Sequence, residues 1–77
     1  MKTEKKTLEQ ILEKEKANRC EGGAFGITAC KEAVLWDVKL RKCSLYEMLE
    51  NYVKLANEDI FFNRRMVLAC WELINEQ

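Results

Sequence analysis

Four cysteines are the residues whose chemistry is easiest to judge from spacing. They stand at positions 20, 30, 43 and 70, and the chain contains no histidine. A structural zinc site needs ligands only about two to four residues apart, because one tight turn has to present both to the metal. The spacing therefore predicts no metal site. It favours Cys30 and Cys70 as small core residues on apolar helix faces.

The chain also lacks the residue combinations that catalysis requires. A cysteine nucleophile needs a neighbouring base, and no histidine can supply one. No pair of acidic residues lies in an apolar setting that would raise a carboxyl pKa. Gly22, Gly23 and Gly26 do not follow the G-x-x-x-x-G-K-[ST] spacing of a phosphate loop. We therefore predict that the chain is not an enzyme and that it has no catalytic residue and no cofactor.

Two sets of charged residues are candidates for ion pairs or for binding. Asp37 falls in an apolar sector of its helix, where it could anchor a partner or form an ion pair with Arg41 one turn later. Arg64 and Arg65 could clamp a carboxylate or phosphate, or pair with acids nearby in the sequence, namely Glu58, Asp59 and Glu72. In both sets the local ion pair is the favoured interpretation.

The composition predicts one small helical domain. Of the 77 residues, 48% are hydrophobic and 34% are charged, which is enough apolar material for a core. Proline is absent, and the formal net charge of zero gives no long-range attraction to nucleic acid or anionic membranes. The N-terminus lacks the apolar segment of a signal peptide, and no run reaches transmembrane length. We expect a cytoplasmic protein with reduced cysteines and no membrane partner.

Periodicity and capping signals predict an all-α domain of four helices, Thr7–Asn18, Thr28–Arg41, Leu45–Ala56 and Glu58–Asn75. Residues 1–6 are expected to fray, and residues 19–27 form a glycine-containing joint. Thr7 with Gln10 and Ser44 with Glu47 have the spacing of capping boxes, which start the first and third helices. Thr28 is the predicted N-cap of the second helix.

The second helix is apolar on two sides. One side carries Ala29, Ala33, Trp36 and Leu40, and the apolar positions further round are Cys30, Val34 and Val38. The loop before this helix contains two more apolar residues, Phe25 and Ile27, which we expect to pin the loop onto the core.

The last helix, residues 60–74, is apolar almost all round, which predicts that it is the central element of the domain. The third helix offers one clean apolar stripe to cover it. The first helix offers a short stripe of Leu8, Ile11 and Leu12 that ends at Glu15, so we expect anchoring only through its N-terminal half. That helix is either a cap on the last helix or an arm exchanged with a second protomer.

Apolar surface beyond what three short helices can cover points to a protein-interaction module. The module is expected to self-associate, or to act as an adaptor or inhibitor on a larger protein, mainly through the last helix. The predicted partner-binding residues are Phe61, Phe62, Arg65, Met66 and Leu73, with Trp36 as a second candidate. A homodimer is the expected form.

Two other functions stay open. The second and third helices flank a tight turn, as in a helix-turn-helix pair, so a nucleic-acid-associated regulator is the alternative. The glutamates on the third helix, Glu47 and Glu50, oppose that alternative because they would face phosphates. A phage- or mobile-element-type inhibitor of a host system also fits the size and the neutral charge.

Overall fold

Four α-helices build the domain, as the sequence predicts. The computed structural model describes residues 7–58 and 61–77, with side chains for 7–58 and 64–77. The helices are α1 (Leu8–Ala17), α2 (Ile27–Arg41), α3 (Leu45–Ala56) and α4 (Phe61–Asn75), and the described residues contain no strand. The all-α four-helix fold is therefore confirmed. The predicted fraying of residues 1–6 concerns residues outside the described part.

Both predicted capping boxes form. In α1 the Gln10 amide donates to Thr7 Oγ1 at 3.2 Å, and the Thr7 amide donates to Gln10 Oε1 at 2.9 Å. Ser44 and Glu47 make the same reciprocal pair at the start of α3, at 3.1 and 2.9 Å. Each box satisfies two backbone donors that a helix start leaves without intrahelical partners.

The start of α2 differs from the prediction. Its N-cap is Gly26, and Thr28 lies within the first turn. The loop supplies its own acceptors there, because the Ile27 amide donates to the Cys20 carbonyl at 2.6 Å and the Thr28 amide donates to the Glu21 carbonyl at 3.4 Å. Backbone carbonyls therefore replace the side-chain cap that sequence preference suggested.

The connections on either side of α3 are short. Lys42 ends α2 in the left-handed conformation, with φ of 53°, and its amide donates to the Val38 carbonyl. On the other side, Glu58 lies in a turn in which its amide donates to the Leu55 carbonyl at 3.0 Å. The last helix is therefore Phe61–Asn75, later than the predicted start at Glu58.

The core is organised around α4, which packs against each of the other three helices. Five consecutive residues of α4, Met66 through Cys70, are each no more than 2% exposed. A helix buries consecutive residues only when neighbours cover it on several sides. The predicted central position of the last helix is confirmed.

The first helix packs in cis along more of its length than expected. Ile11 and Leu12 are buried as predicted, but Glu15, one turn further on, is also buried at 6% exposure. The prediction that α1 is held only through its N-terminal half is therefore wrong.

The loop before α2 is held on the core by one of its two apolar residues. Ile27 enters the core as predicted, but the side chain of Phe25 is 55% exposed, so the prediction that Phe25 also pins the loop is wrong.

Replacement of Gly26 tests how tightly the loop closes onto α2. A Cβ at Gly26 would overlap the backbone carbonyl of Gly22, whereas a Cβ at Gly22 meets nothing within 4 Å. The backbone at Gly22 cannot move aside in the way that the end of a flexible side chain can. We therefore expect Gly26→Ala to destabilise the fold by about 2 kcal/mol or more. Urea denaturation measures the change. Gly22→Ala is the matched control, and equal stability of the two variants would contradict this loop geometry.

Candidate functional site

The outward side of α2 carries apolar residues that the domain covers only in part. Its inward side, with Ile27, Cys30 and Val34, belongs to the core. At roughly 100° per residue, four apolar residues cluster on a different side. We call this surface the outer stripe of α2, and it consists of Ala29, Ala33, Trp36 and Leu40.

The two large side chains of the outer stripe are also its two exposed side chains. Trp36 is 60% exposed and Leu40 is 62% exposed, and a spacing of four residues places them on adjacent turns. Ala29 and Ala33 are half-buried. Leu35, at 51% exposure, points well away from the stripe on the helical projection. Adjacent exposed aromatic and aliphatic side chains are what an interaction surface offers.

The predicted surface of the last helix is buried or half-buried wherever its side chains are described. Met66 is 2% exposed, and Leu73 is half-buried against the core. Arg65 is also half-buried, and its Nη1 donates to the Phe25 carbonyl at 2.9 Å. Because Met66 is buried within the domain, the sequence expectation of an unshared face there is corrected. The side chains of Phe61 and Phe62 lie outside the described part.

Among the predicted partner residues whose side chains are described, Trp36 is the one with an exposed side chain. Helical periodicity places Ala29, Ala33 and Leu40 on the same side as Trp36, but these three were not among the predicted partner-binding residues. The signal was present in the sequence, since α2 is apolar on two sides and only one side can face α4. What the sequence could not show is which side faces inward.

Asp37 borders the outer stripe and has a partner different from the expected one. The Tyr52 hydroxyl donates to Asp37 Oδ2 at 2.6 Å, joining α2 to α3. Asp37 forms no ion pair with Arg41, so that prediction is wrong. Burial, and then this hydrogen bond, raise the pKa of Tyr52 above its usual value. Asp37 is therefore an internal polar link, and its carboxylate is already engaged on the α3 side.

A cluster of ions connects the loop after α1 with α2 and α4. Glu72 receives a two-pronged contact from Arg19, with Nε at 2.8 Å and Nη2 at 3.1 Å, and Lys31 Nζ approaches it at 3.2 Å. Lys31 also pairs with Glu76, and Arg19 with Glu21. The hydrogen bonds from Arg19 and then Lys31 outweigh burial and lower the pKa of Glu72.

This cluster engages one of the acids that were expected to pair with Arg64 and Arg65. Arg64 and Arg65 were expected to pair with nearby acids that included Glu72, but Glu72 pairs with Arg19 and Lys31. Arg64 is half-buried. Asp59, another expected partner, lies outside the described residues.

Two of the four cysteines, Cys30 and Cys70, lie in the core. Cys30 and Cys70 are 1% and 0% exposed, which confirms their predicted place in the core. The Cys70 thiol donates to the Leu45 carbonyl at 3.2 Å, and burial raises the pKa of Cys70 to about 11. Burial also raises the pKa of Cys30. Both thiols therefore stay protonated at neutral pH and are weak nucleophiles.

Two concave features lie beside α1. A cavity beside Glu15, Arg65 and Cys30 measures about 10 Å³, room for roughly one water molecule. A wider groove of about 400 Å³ runs between α1 and α3, with Leu8, Leu49 and Val53 among its lining residues. Within the described part of the chain, no three His, Cys, Asp or Glu residues cluster closely enough to hold a metal ion.

No family model matches the chain, and no curated protein or solved structure matches it either. None of the described helices combines the length and the apolar character needed to cross a bilayer.

The ion cluster predicts a specific response to acid. The lowered pKa of Glu72 means that its stabilisation is fully present above the ordinary value of 4.5 and is lost as the pH falls below it. We expect Glu72→Gln to cost up to about 1 kcal/mol at pH 7 and less at pH 3. Denaturant titrations at both pH values measure this. Glu50→Gln, at an exposed position without an ion pair, is the control, and a pH-independent loss in Glu72→Gln would contradict the assignment.

The link between α2 and α3 gives a second stability prediction. We expect Tyr52→Phe to cost about 1–2 kcal/mol, because it leaves Asp37 without its hydrogen-bond donor. The raised pKa of Tyr52 adds stability that is present below pH 10.0 and lost above it, so the variant should also lose less stability in alkali. Urea denaturation at neutral and alkaline pH tests both points. Tyr46→Phe, at 63% exposure, is the control, and equal effects of the two substitutions would refute the link.

Proposed function

We propose that the chain is a small protein-interaction module that binds another polypeptide through the outer stripe of α2. The observation that carries the proposal is the exposure of Trp36 and Leu40 on adjacent turns of one helix, at 60% and 62%. Tryptophan is enriched at the energetic centres of protein interfaces, where a large flat side chain becomes fully desolvated. The stripe lies on a rigid helix, so binding would cost little backbone ordering.

Burial energy supports the stripe as a contact surface. Covering the exposed parts of Trp36 and Leu40 would contribute roughly 1–2 kcal/mol for each residue at about 25 cal/mol per Å² of apolar area. The same helix is fixed on its inner side by Cys30 and Val34, at 1% and 0% exposure. The domain can therefore present the stripe without giving up its own core.

The other predicted functions have less support. The solvated face of α3 carries Glu47 and Glu50 beside Lys54, and such carboxylates would meet nucleic-acid phosphates unfavourably. We therefore do not propose the nucleic-acid-associated function. No feature of the described residues distinguishes a phage- or mobile-element-type inhibitor from other interaction modules, so that idea stays a prediction.

Site-specific photo-crosslinking tests the proposed function. A benzophenone amino acid replaces Trp36, and in a control protein it replaces Glu13, an exposed residue of α1. On irradiation in cells of the source organism, we expect a covalent adduct with a polypeptide from position 36 and little from position 13. Absence of any adduct at position 36, or equal adducts at the two positions, would contradict the proposal.

A further inference from the structure

We propose that the polypeptide bound by the outer stripe is a second copy of this chain, with the two α2 helices packed antiparallel about a two-fold axis. This inference rests on the proposed function and names its partner. It is argued from the spacing of the stripe, from the sizes of its side chains and from the charges along its edge.

The spacing of the stripe fits a helix–helix seam. Ala29, Ala33, Trp36 and Leu40 follow one another in steps of four, three and four. This alternation keeps side chains on one face of a helix and lets them insert between those of a facing helix. Trp36 and Leu40 are exposed, Ala29 is half-buried and Ala33 also packs on the core, so the seam is most open at its Trp36–Leu40 end.

The side-chain sizes favour an antiparallel second copy. The small residues Ala29 and Ala33 form one half of the stripe, and the large residues Trp36 and Leu40 form the other. In an antiparallel pair, the small half of each helix faces the large half of its partner, which fills the space between them. A parallel pair would set Trp36 against its own copy and leave a gap between the alanines.

The charges on one edge of the stripe point to the same arrangement. Glu32 and Lys39 are exposed, lie on that edge seven residues apart, and form no ion pair with any described residue. An antiparallel pair places Glu32 near Lys39 of the partner subunit, and symmetry makes this contact twice. A parallel pair would instead bring Glu32 towards Asp37 of the partner subunit, which is a contact between like charges.

The expected contact is small and therefore reversible. The stripe is one face of one helix, so its contact belongs at or below the lower end of the range for specific interfaces, about 1,200 Å² in total. We expect association in the micromolar range, within reach of sedimentation equilibrium. A matched pair of substitutions is available on the same helix, since Leu40 lies in the stripe and Leu35 lies outside it, with exposures of 62% and 51%.

Sedimentation equilibrium from micromolar to millimolar concentration tests self-association. The wild-type chain of 9.1 kDa should approach twice that mass. We expect Leu40→Glu to weaken association about 30-fold or more, while Leu35→Glu changes it less than about twofold. Circular dichroism shows whether both variants keep their helices. A wild-type chain that stays monomeric, or equal weakening by the two variants, would overturn the inference.

Exchanging the charges of Glu32 and Lys39 distinguishes a second copy from any other partner. Both residues are exposed, so these substitutions leave the core unchanged. Glu32→Lys and Lys39→Glu should each weaken self-association about fivefold, because each places like charges together twice. Mixing these two variants should restore association as a heterodimer, and the double variant Glu32→Lys/Lys39→Glu should restore the homodimer. Failure of both restorations would overturn the antiparallel arrangement.

The two proposals can fail separately. A monomeric wild-type chain whose position 36 still crosslinks to a different polypeptide would overturn self-association and leave the proposed function standing. A monomeric chain without an adduct at position 36 would overturn both. A dimer unaffected by Leu40→Glu would place the contact elsewhere and would also refute this inference.

Discussion

The burial of α4 on several sides is the constraint on which the rest of the structure depends. Residues 66–70 are each at most 2% exposed, and α1, α2 and α3 all pack against this helix. Three short helices can cover a fourth only if each directs its best apolar side inward. A small domain has little further surface to bury. A covering helix that is apolar on two sides must therefore leave one of those sides facing solvent. Among α1, α2 and α3, α2 is the helix with two apolar sides.

Polar contacts fix the arrangement that apolar burial allows. The Tyr52–Asp37 hydrogen bond joins α2 to α3, and the contacts of Glu72 with Arg19 and Lys31 join α4 to the loop and to α2. Each contact has a defined geometry, whereas apolar burial is non-directional. Together they set the rotation of α2 about its axis. That rotation decides that Cys30 and Val34 face inward while the outer stripe faces solvent.

The sequence was most informative where the determining interactions are local. The capping boxes of Thr7 and Ser44 depend on residues three positions away, and both form as predicted. The errors about packing concern contacts between residues distant in sequence. Arg19 meets Glu72 across 53 positions, Asp37 bonds to Tyr52 in the next helix, and α1 buries Glu15 beyond its apolar stripe. Periodicity places residues on a face, but it does not show which neighbouring element meets that face.

The environment of Trp36 tests the central claim most directly. Trp71 is the other tryptophan of the chain, so a Trp71→Phe variant, checked for its helices, reports fluorescence from Trp36 alone. If the outer stripe packs against a second copy, the emission maximum should move to shorter wavelength as concentration rises, with the same midpoint as the increase in mass. Emission typical of a water-exposed indole at every concentration would contradict the account.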